Sequence, residues 1–372
     1  MRIKPWTGSR VVGVAGTAKN VGKTTATRAL LEAAYRVGLS VGLTGIGYDG
    51  EALDNLTGLP KPRLPVEPGM LVATARRCLN AASAVLHPVA DTGVATPMGE
   101  VVVARVAEPG LVVIVGPRTG RDVRQITHLM GQLGGQLILV DGALNRMIPL
   151  METDGLILST GAARTTDVGL LAAETGASNA MFRLPVLEGD GGKQPQTCIT
   201  LTRHEGPPRQ LSIGSLLVPS TVDQLCSFAD QDTCQIIVPG ALSISCLSLL
   251  WQRLESHLAD VVLVMADPLR LLISGEPPVV QKSLSQIPKG RLQVLRQLPL
   301  IAITVNPFYP RYRWRTRDYR PAYVDAVLLQ ERITEAVDVP VIDVKRQGGD
   351  ALLGLVSKLL WPESGHYPWS GC

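Results

Sequence analysis

Net charge is nearly absent from this sequence: 36 Lys and Arg against 32 Asp and Glu leave +4 over 372 residues. The stretch Phe308 to Arg320 holds five arginines and one aspartate, a local +4 that equals the whole excess. A diffuse basic field of the kind that tracks nucleic acid is therefore excluded. Cysteine is also sparse. Six residues (Cys78, Cys198, Cys226, Cys234, Cys246 and Cys372) contain no Cys-x-x-Cys pair, which argues against a disulfide framework or a zinc cluster. Five scattered histidines weaken any His-based metal site. No apolar run approaches the roughly 18–20 residues of a membrane-spanning helix. The start of the chain, Met1 to Ser9, is polar with no apolar segment behind it, so a cytoplasmic, soluble protein without a signal peptide is expected. Aromatics are few: three Phe, five Trp and seven Tyr, of which nine lie between Phe308 and Trp369. Hydrophobic residues at 45% and charged residues at 18% exclude a disordered chain.

Short apolar runs alternate with helical stretches, the pattern of an α/β fold with a mainly parallel sheet flanked by helices. Arg10–Ala15, Ser40–Ile46, Gln136–Val140 and Gly155–Ser159 are predicted strands. Lys23–Val37, Arg121–Leu133 and Asp167–Glu174 are predicted helices. Glu100–Val115 is expected to hold two strands joined through the turn Glu108-Pro109-Gly110. Glycine and proline then break the pattern over Val186–Arg209. Beyond the break, strands are predicted at Gln235–Val238, Val261–Met265, Leu300–Val305 and Val339–Val344. The expectation is a nucleotide-binding domain over residues 1–185 and a second α/β region over 210–372 that contains the basic aromatic segment 306–323. Continuation of the same sheet through the second half is the alternative.

The strongest motif is the run Gly16-Thr17-Ala18-Lys19-Asn20-Val21-Gly22-Lys23-Thr24-Thr25, a loop between a strand and a helix. Loop and helix-start N–H groups would face an anion, aided by the helix dipole. Gly22 lets the backbone approach phosphate oxygens, Lys23 puts a point charge on the β/γ-phosphates, and the Thr24 hydroxyl can ligate Mg²⁺. Five residues, rather than four, separate Gly16 from Gly22, so Thr17 stands where the strict P-loop register has its first glycine. With that spacing the loop resembles dethiobiotin synthetase and the cobyrinate amidating enzymes, within the class of P-loop proteins that includes ParA-like ATPases. In ParA-like proteins a loop lysine reaches phosphate across a subunit interface. By that resemblance Lys19 would contact phosphate and the protein would be a homodimer.

A P-loop needs an acidic partner for Mg²⁺ at the end of a neighbouring strand. Gln136–Val140 ends in Asp141-Gly142 and supplies it, unless Asp141 merely caps a turn. Asp49, in Gly47-Tyr48-Asp49-Gly50-Glu51, stands where this class carries a switch aspartate that ligates Mg²⁺ or orients the attacking water; Glu51 and Asp54 are its substitutes. One function of the class is weakened and another fails. The Lys-Pro substrate motif of dethiobiotin synthetase is missing after the second strand. Cys246, in Ile244-Ser245-Cys246-Leu247-Ser248, does not form the nucleophile elbow of a glutaminase.

A further set of segments comprises Gly16–Thr25, Gly42–Glu51, Lys61-Pro62-Arg63, Ala73-Thr74-Ala75, Thr96–Val102, Val140–Arg146, Leu158–Ala162 and Val305–Phe308. Together they resemble the P-loop component of the reactivation system that accompanies lysine 5,6-aminomutase, an adenosylcobalamin and pyridoxal phosphate enzyme. That resemblance implies a Mg²⁺-dependent ATPase that remodels a cobalamin-dependent aminomutase, with a second reactivation subunit as a further partner. Two other readings stay open: an ATP-dependent ligase or kinase acting on a small molecule, and a nucleotide-gated binding module that does not hydrolyse.

In the segment after Leu300–Val305, Asn306 would either hydrogen-bond a nucleotide base or form an Asn-Pro turn. Arg311, Arg313, Arg315 and Arg317 alternate, so one extended strand would put all four on one face. Single-stranded nucleic acid, a protein interface and a solvated loop are the three readings of this mixture of arginine and aromatics.

Overall fold

The computed structural model describes residues 8–47, 63–142, 147–188, 197–257, 260–272 and 275–361. Asp49, Glu51 and Asp54 lie outside them, as do Lys61-Pro62 and Ala143–Arg146. The chain forms two compact units: residues Met1–Leu171 with Pro299–Cys372, and residues Ala172–Leu298.

The first unit opens with β1 (Arg10–Gly16), α1 (Lys23–Arg36), β2 (Val41–Gly45), β3 (Arg63–Val66), β4 (Leu71–Ala75) and α2 (Arg76–Leu79). It continues with β5 (Val85–Thr96), β6 (Gly99–Glu108), β7 (Gly110–Val113), α3 (Gly120–Gln132), β8 (Leu137–Asp141) and β9 (Gly155–Gly161), and the unit boundary falls within α4 (Val168–Phe182). The second unit holds β10 (Ile199–Arg203), β11 (Arg209–Leu211), α5 (Pro219–Phe228), β12 (Thr233–Val238), α6 (Ile244–His257), β13 (Val262–Met265), α7 (Leu269–Leu272), α8 (Pro277–Ser285) and β14 (Leu292–Val294). The chain then returns to the first unit with β15 (Leu300–Asn306), β16 (Phe308–Arg313), β17 (Asp318–Tyr323), α9 (Ala326–Ala336), β18 (Val341–Ile342) and α10 (Val344–Leu360).

The large sheet has nine strands in the order β18-β15-β9-β1-β8-β2-β4-β6-β5. The seven strands from β18 to β4 are parallel, and β6 and β5 close one edge antiparallel. The α/β class read from the sequence is the class observed. β1 runs between β8 and β9, and all three are nearly continuous apolar runs, as strands covered on both faces require. One face packs Val12, Val14, Leu137 and Leu139 under α1 and α10; on the other, Ile138 packs with Ile126 and Met130 of α3. Parallel strands align their carboxyl ends along one edge, which is where such sheets place their ligands.

The domain division differs from the expected one. The expected second region over 210–372 is split, because β15, β18 and α10 complete the nine-stranded sheet of the first unit. The inserted unit has a five-stranded sheet of its own, ordered β11-β10-β12-β13-β14. Glu108-Pro109-Gly110 is also not a hairpin: β6 pairs with β4 and β5, whereas β7 turns away to pair with β3. At Gly110 the backbone passes so close to Ser83 and Ala84 that no side chain fits, and the chain turns a corner there. The expected strand Val339–Val344 shrinks to β18, because Asp343 accepts from the Lys345 and Arg346 amides and starts α10.

Candidate functional site

The loop between β1 and α1 sits at the carboxyl edge of the sheet. The Thr17 amide donates to the Ser159 carbonyl at 2.9 Å, and the Thr17 hydroxyl lies 3.0 Å from that of Thr160, so β9 holds the start of the loop. Val21 is buried and packs on Gly16, at a distance that leaves little room for a side chain there. Two residues then take left-handed backbone: Asn20 at φ 63° and Gly22 at φ 96°. That turn starts α1 at Lys23.

The first turn of α1 has no side-chain cap and no acidic residue. Its leading N–H groups have no intrahelical acceptor, and the dipole leaves partial positive charge at this end. A phosphate satisfies both.

Lys23 reaches across to β8, where its Nζ lies 2.6 Å from Oδ2 of Asp141. Both side chains are largely enclosed, at 20% and 9% exposure. The parallel register sets Val14 of β1 beside Asp141, so the aspartate stands one strand over from the loop. Thr27, one turn along α1 from Lys23, donates to the Lys23 carbonyl at 3.1 Å and sits 3.4 Å from Asp141 Oδ1. Sequence reasoning missed Thr27; its only signal was the i+4 spacing from Lys23.

Lys23, Asp141, Thr24 and Gly22 are thus gathered at one edge, where the motif expects them. Thr24 is half-buried, with no hydrogen-bond partner for its hydroxyl among the described residues, and Thr25 is exposed. Lys19 is exposed on the loop. The oxygen donors of Thr24 and Asp141 suit a hard cation such as Mg²⁺, which takes one or two protein oxygens beside phosphate and water. Among the described residues no cluster of three or more His, Cys, Asp or Glu makes a self-sufficient metal site.

Asp49 lies outside the described residues, but the backbone leading to it is fixed. Ile46 donates to the Asp141 carbonyl at 2.9 Å, and Gly47, at φ 66°, donates to the Pro117 carbonyl at 2.7 Å. The described backbone therefore ends, at Gly47, one residue past the contact with Asp141.

Asn306, at the end of β15, has both ends of its side chain committed to protein. Its amide donates to the Asn20 carbonyl of the loop at 3.0 Å, and its Oδ1 accepts from the Phe308 amide at 3.2 Å. Both the expected Asn-Pro turn and a brace on the β1–α1 loop are present in this one residue. The Thr96–Gly99 segment lies elsewhere. It forms the β5–β6 turn, with the Thr96 hydroxyl donating to the Gly99 carbonyl at 2.6 Å, five strands from β1.

No family model matches the chain, and no curated protein does. Among solved structures, one described as pNOB8 ParA bound to nonspecific DNA is 13% identical, with a match covering 75% of this chain and 98% of that one. Its TM-score of 0.27 carries no argument about this chain, whose fold rests on the topology above. Among the described residues no helix is long and apolar enough to cross a membrane.

Proposed function

We propose that the chain is a Mg²⁺-dependent P-loop ATPase that remodels a cobalamin-dependent aminomutase. The observation that carries the nucleotide part is the Lys23–Asp141 pair at the mouth of a loop whose Gly22 is left-handed and whose helix start is uncapped. An arriving triphosphate offers Lys23 a stronger anion than Asp141, and the lysine swings to the β/γ-phosphates. The Asp141 carboxylate is released by that exchange and, with the Thr24 hydroxyl, becomes available to a cation. Mg²⁺, when bound, neutralises charge that develops on the phosphates during transfer. Backbone N–H groups from Gly22 to Thr24 hold the phosphate oxygens, and Asp49 is assigned the orientation of the attacking water. The remodelling role is supported by the reactivase-like segments of the sequence and by general logic: γ-phosphate contacts order a switch segment, hydrolysis releases it, and a partner senses the difference.

Lys23→Ala removes a charge-assisted contact and should weaken Mg·ATP binding by roughly a hundred-fold, about 2.7 kcal/mol. Calorimetric titration of a variant verified as folded checks this, and unchanged affinity would refute the phosphate-loop assignment. ATP hydrolysis should rise when an aminomutase carrying inactivated cobalamin is added. A flat response with intact ATP binding would overturn the remodelling role alone.

A further inference from the structure

We propose that the β16–β17 hairpin is a docking element that enters a groove of a partner protein, its arginine face against carboxylates and its aromatic face against an apolar wall. Among the described residues the two strands pair only with each other and join neither larger sheet. They reverse through Trp314–Arg317, with Arg317 left-handed at φ 52°, so the alternating arginines do not share one face as a single strand would have them. Instead the hairpin has two chemically distinct sides. Along β16, Phe308, Pro310 and Tyr312 alternate with Tyr309, Arg311 and Arg313. The register sets Tyr323, Pro321 and Tyr319 opposite the first group and Ala322 and Arg320 opposite Tyr309 and Arg311. Directly opposed residues share a face. Ring contacts agree: Phe308 lies 5.8 Å from Tyr323, Tyr312 lies 5.1 Å from Tyr319, and Trp314 adds an edge contact to Tyr312 at 4.9 Å.

Both sides carry exposed residues. Trp314 is 85% exposed, Tyr319 68% and Tyr323 61%, in a sequence with only fifteen aromatics. Such a patch of apolar rings marks an interaction site, and Trp, Tyr and Arg dominate binding hot spots. On the other side Arg311 and Arg320 face each other directly across the strands, and neither has an ion pair among the described residues. Like charges in that position repel. A carboxylate placed between them relieves the repulsion, so the hairpin is primed for an acidic partner. Pro310 opposite Pro321 removes two amide donors from the ladder, which disfavours recruitment of a further strand and leaves side chains to make the interface.

Single-stranded nucleic acid fits less well. It needs bases stacked and phosphates neutralised along one track, but here the rings and Arg311 with Arg320 lie on opposite faces of a hairpin only about 20 Å long.

The base of the hairpin is also tied to the phosphate loop. Asn306, which braces the Asn20 carbonyl, is two residues from Phe308, and the Val324 amide donates to the Pro307 carbonyl at 3.0 Å. Movement of the Asn20–Gly22 backbone onto phosphate therefore acts on the residue that anchors the hairpin. This link rests on the phosphate-loop reading; the docking itself does not.

The test places p-benzoylphenylalanine at position 314 of the full chain in its native cells, with position 77 on α2 as control, and photo-cross-links. The captured protein is purified and titrated with the unmodified chain, Trp314→Ala, Arg311→Glu/Arg320→Glu, and the charge-matched control Arg77→Glu/Arg332→Glu. The expected result is a protein cross-link specific to position 314, with both hairpin variants weakening binding by about ten-fold or more and the control leaving it unchanged. Three results overturn the proposal: no cross-link above the position-77 control, equal binding by the hairpin variants, or hairpin-dependent binding of a 20-nucleotide oligo-dT instead of a protein. A parallel titration with a fluorescent ATP analogue separates the two readings. Hairpin-dependent partner binding without ATP binding sinks the phosphate loop and its link. ATP binding without hairpin dependence sinks the docking.

Discussion

At Gly22 two physical demands meet in one residue. Its φ of 96° is a left-handed conformation that costs an L-residue about 1–2 kcal/mol, and a Cβ there would lie 3.0 Å from the Cβ of Asn306. Gly22→Ala should therefore strain the loop and push Asn306 off its brace together. We expect ATP affinity to fall by roughly ten-fold or more and the melting temperature to drop by a few degrees, read by titration and by thermal unfolding. Full retention of both would mean that the loop is softer than its hydrogen bonds imply. Lys23 and Asp141 are legible in the sequence because each stands at a local mark, a Gly-Lys-Thr start and an Asp-Gly strand end. Thr27 and the brace from Asn306 are not, because neither is a local property. Thr27 matters only once α1 is laid against β8, and Asn306 meets Asn20 across 286 positions of chain.

The elements divide in the same way. β1, β8, β9 and β15 are apolar runs buried on both faces, and such runs announce themselves. The edge strand β5 contains Pro88 and Gly93, follows an irregular register and is exposed along much of its length, so no alternation marked it. The junction from β13 to α7 carries a testable charge. Asp267 is buried there, its carboxylate accepting from the Arg270 amide and pairing with the Arg270 guanidinium at 3.2 Å. Burial pushes the Asp267 carboxyl above its ordinary value of 3.8, and Arg270 opposes only part of that rise. The folded state therefore holds this proton more tightly than the unfolded one. The stability so gained is complete below pH 3.8 and is lost as pH rises through the folded-state value. Asp267→Asn keeps the oxygen that caps α7 and abolishes the buried charge. It should raise the urea midpoint of the inserted unit at pH 7, with the gain vanishing below pH 3.8, followed by the fluorescence of Trp251, the unit's one tryptophan. A loss of stability at pH 7 would show that the ion pair with Arg270 outweighs the burial.

On the scale of the whole molecule, the break over Val186–Arg209 falls inside the inserted unit, whose boundary lies at Leu171–Ala172, and the return to the first sheet had no sign in the sequence. β12 and β13 repeat the same apolar strand pattern as β9 and β15, and which sheet a strand joins is decided by pairing, not by the strand's own residues. The consequence is that the last 74 residues, from Pro299, belong to the same unit as the β1–α1 loop and Asp141. Ile301 and Ala302 of β15, and Leu352, Leu353, Val356 and Leu360 of α10, lie in the same core cluster as Val12 and Val14 of β1. At about 1.5–3 kcal/mol for each large buried side chain, their removal approaches the roughly 5–15 kcal/mol that holds a domain folded. A chain ended after Leu298 should therefore lose ATP binding and cooperative unfolding together. A chain in which a flexible Gly/Ser linker joins Leu171 to Pro299, omitting the inserted unit, should retain both, because every described residue of the loop, Asp141 and Asn306 stays within one compact unit. Circular dichroism melts and ATP titration of the two shortened chains decide the matter. ATP binding by the truncated chain, or its loss from the linked one, would overturn the division of the molecule on which the site has been built.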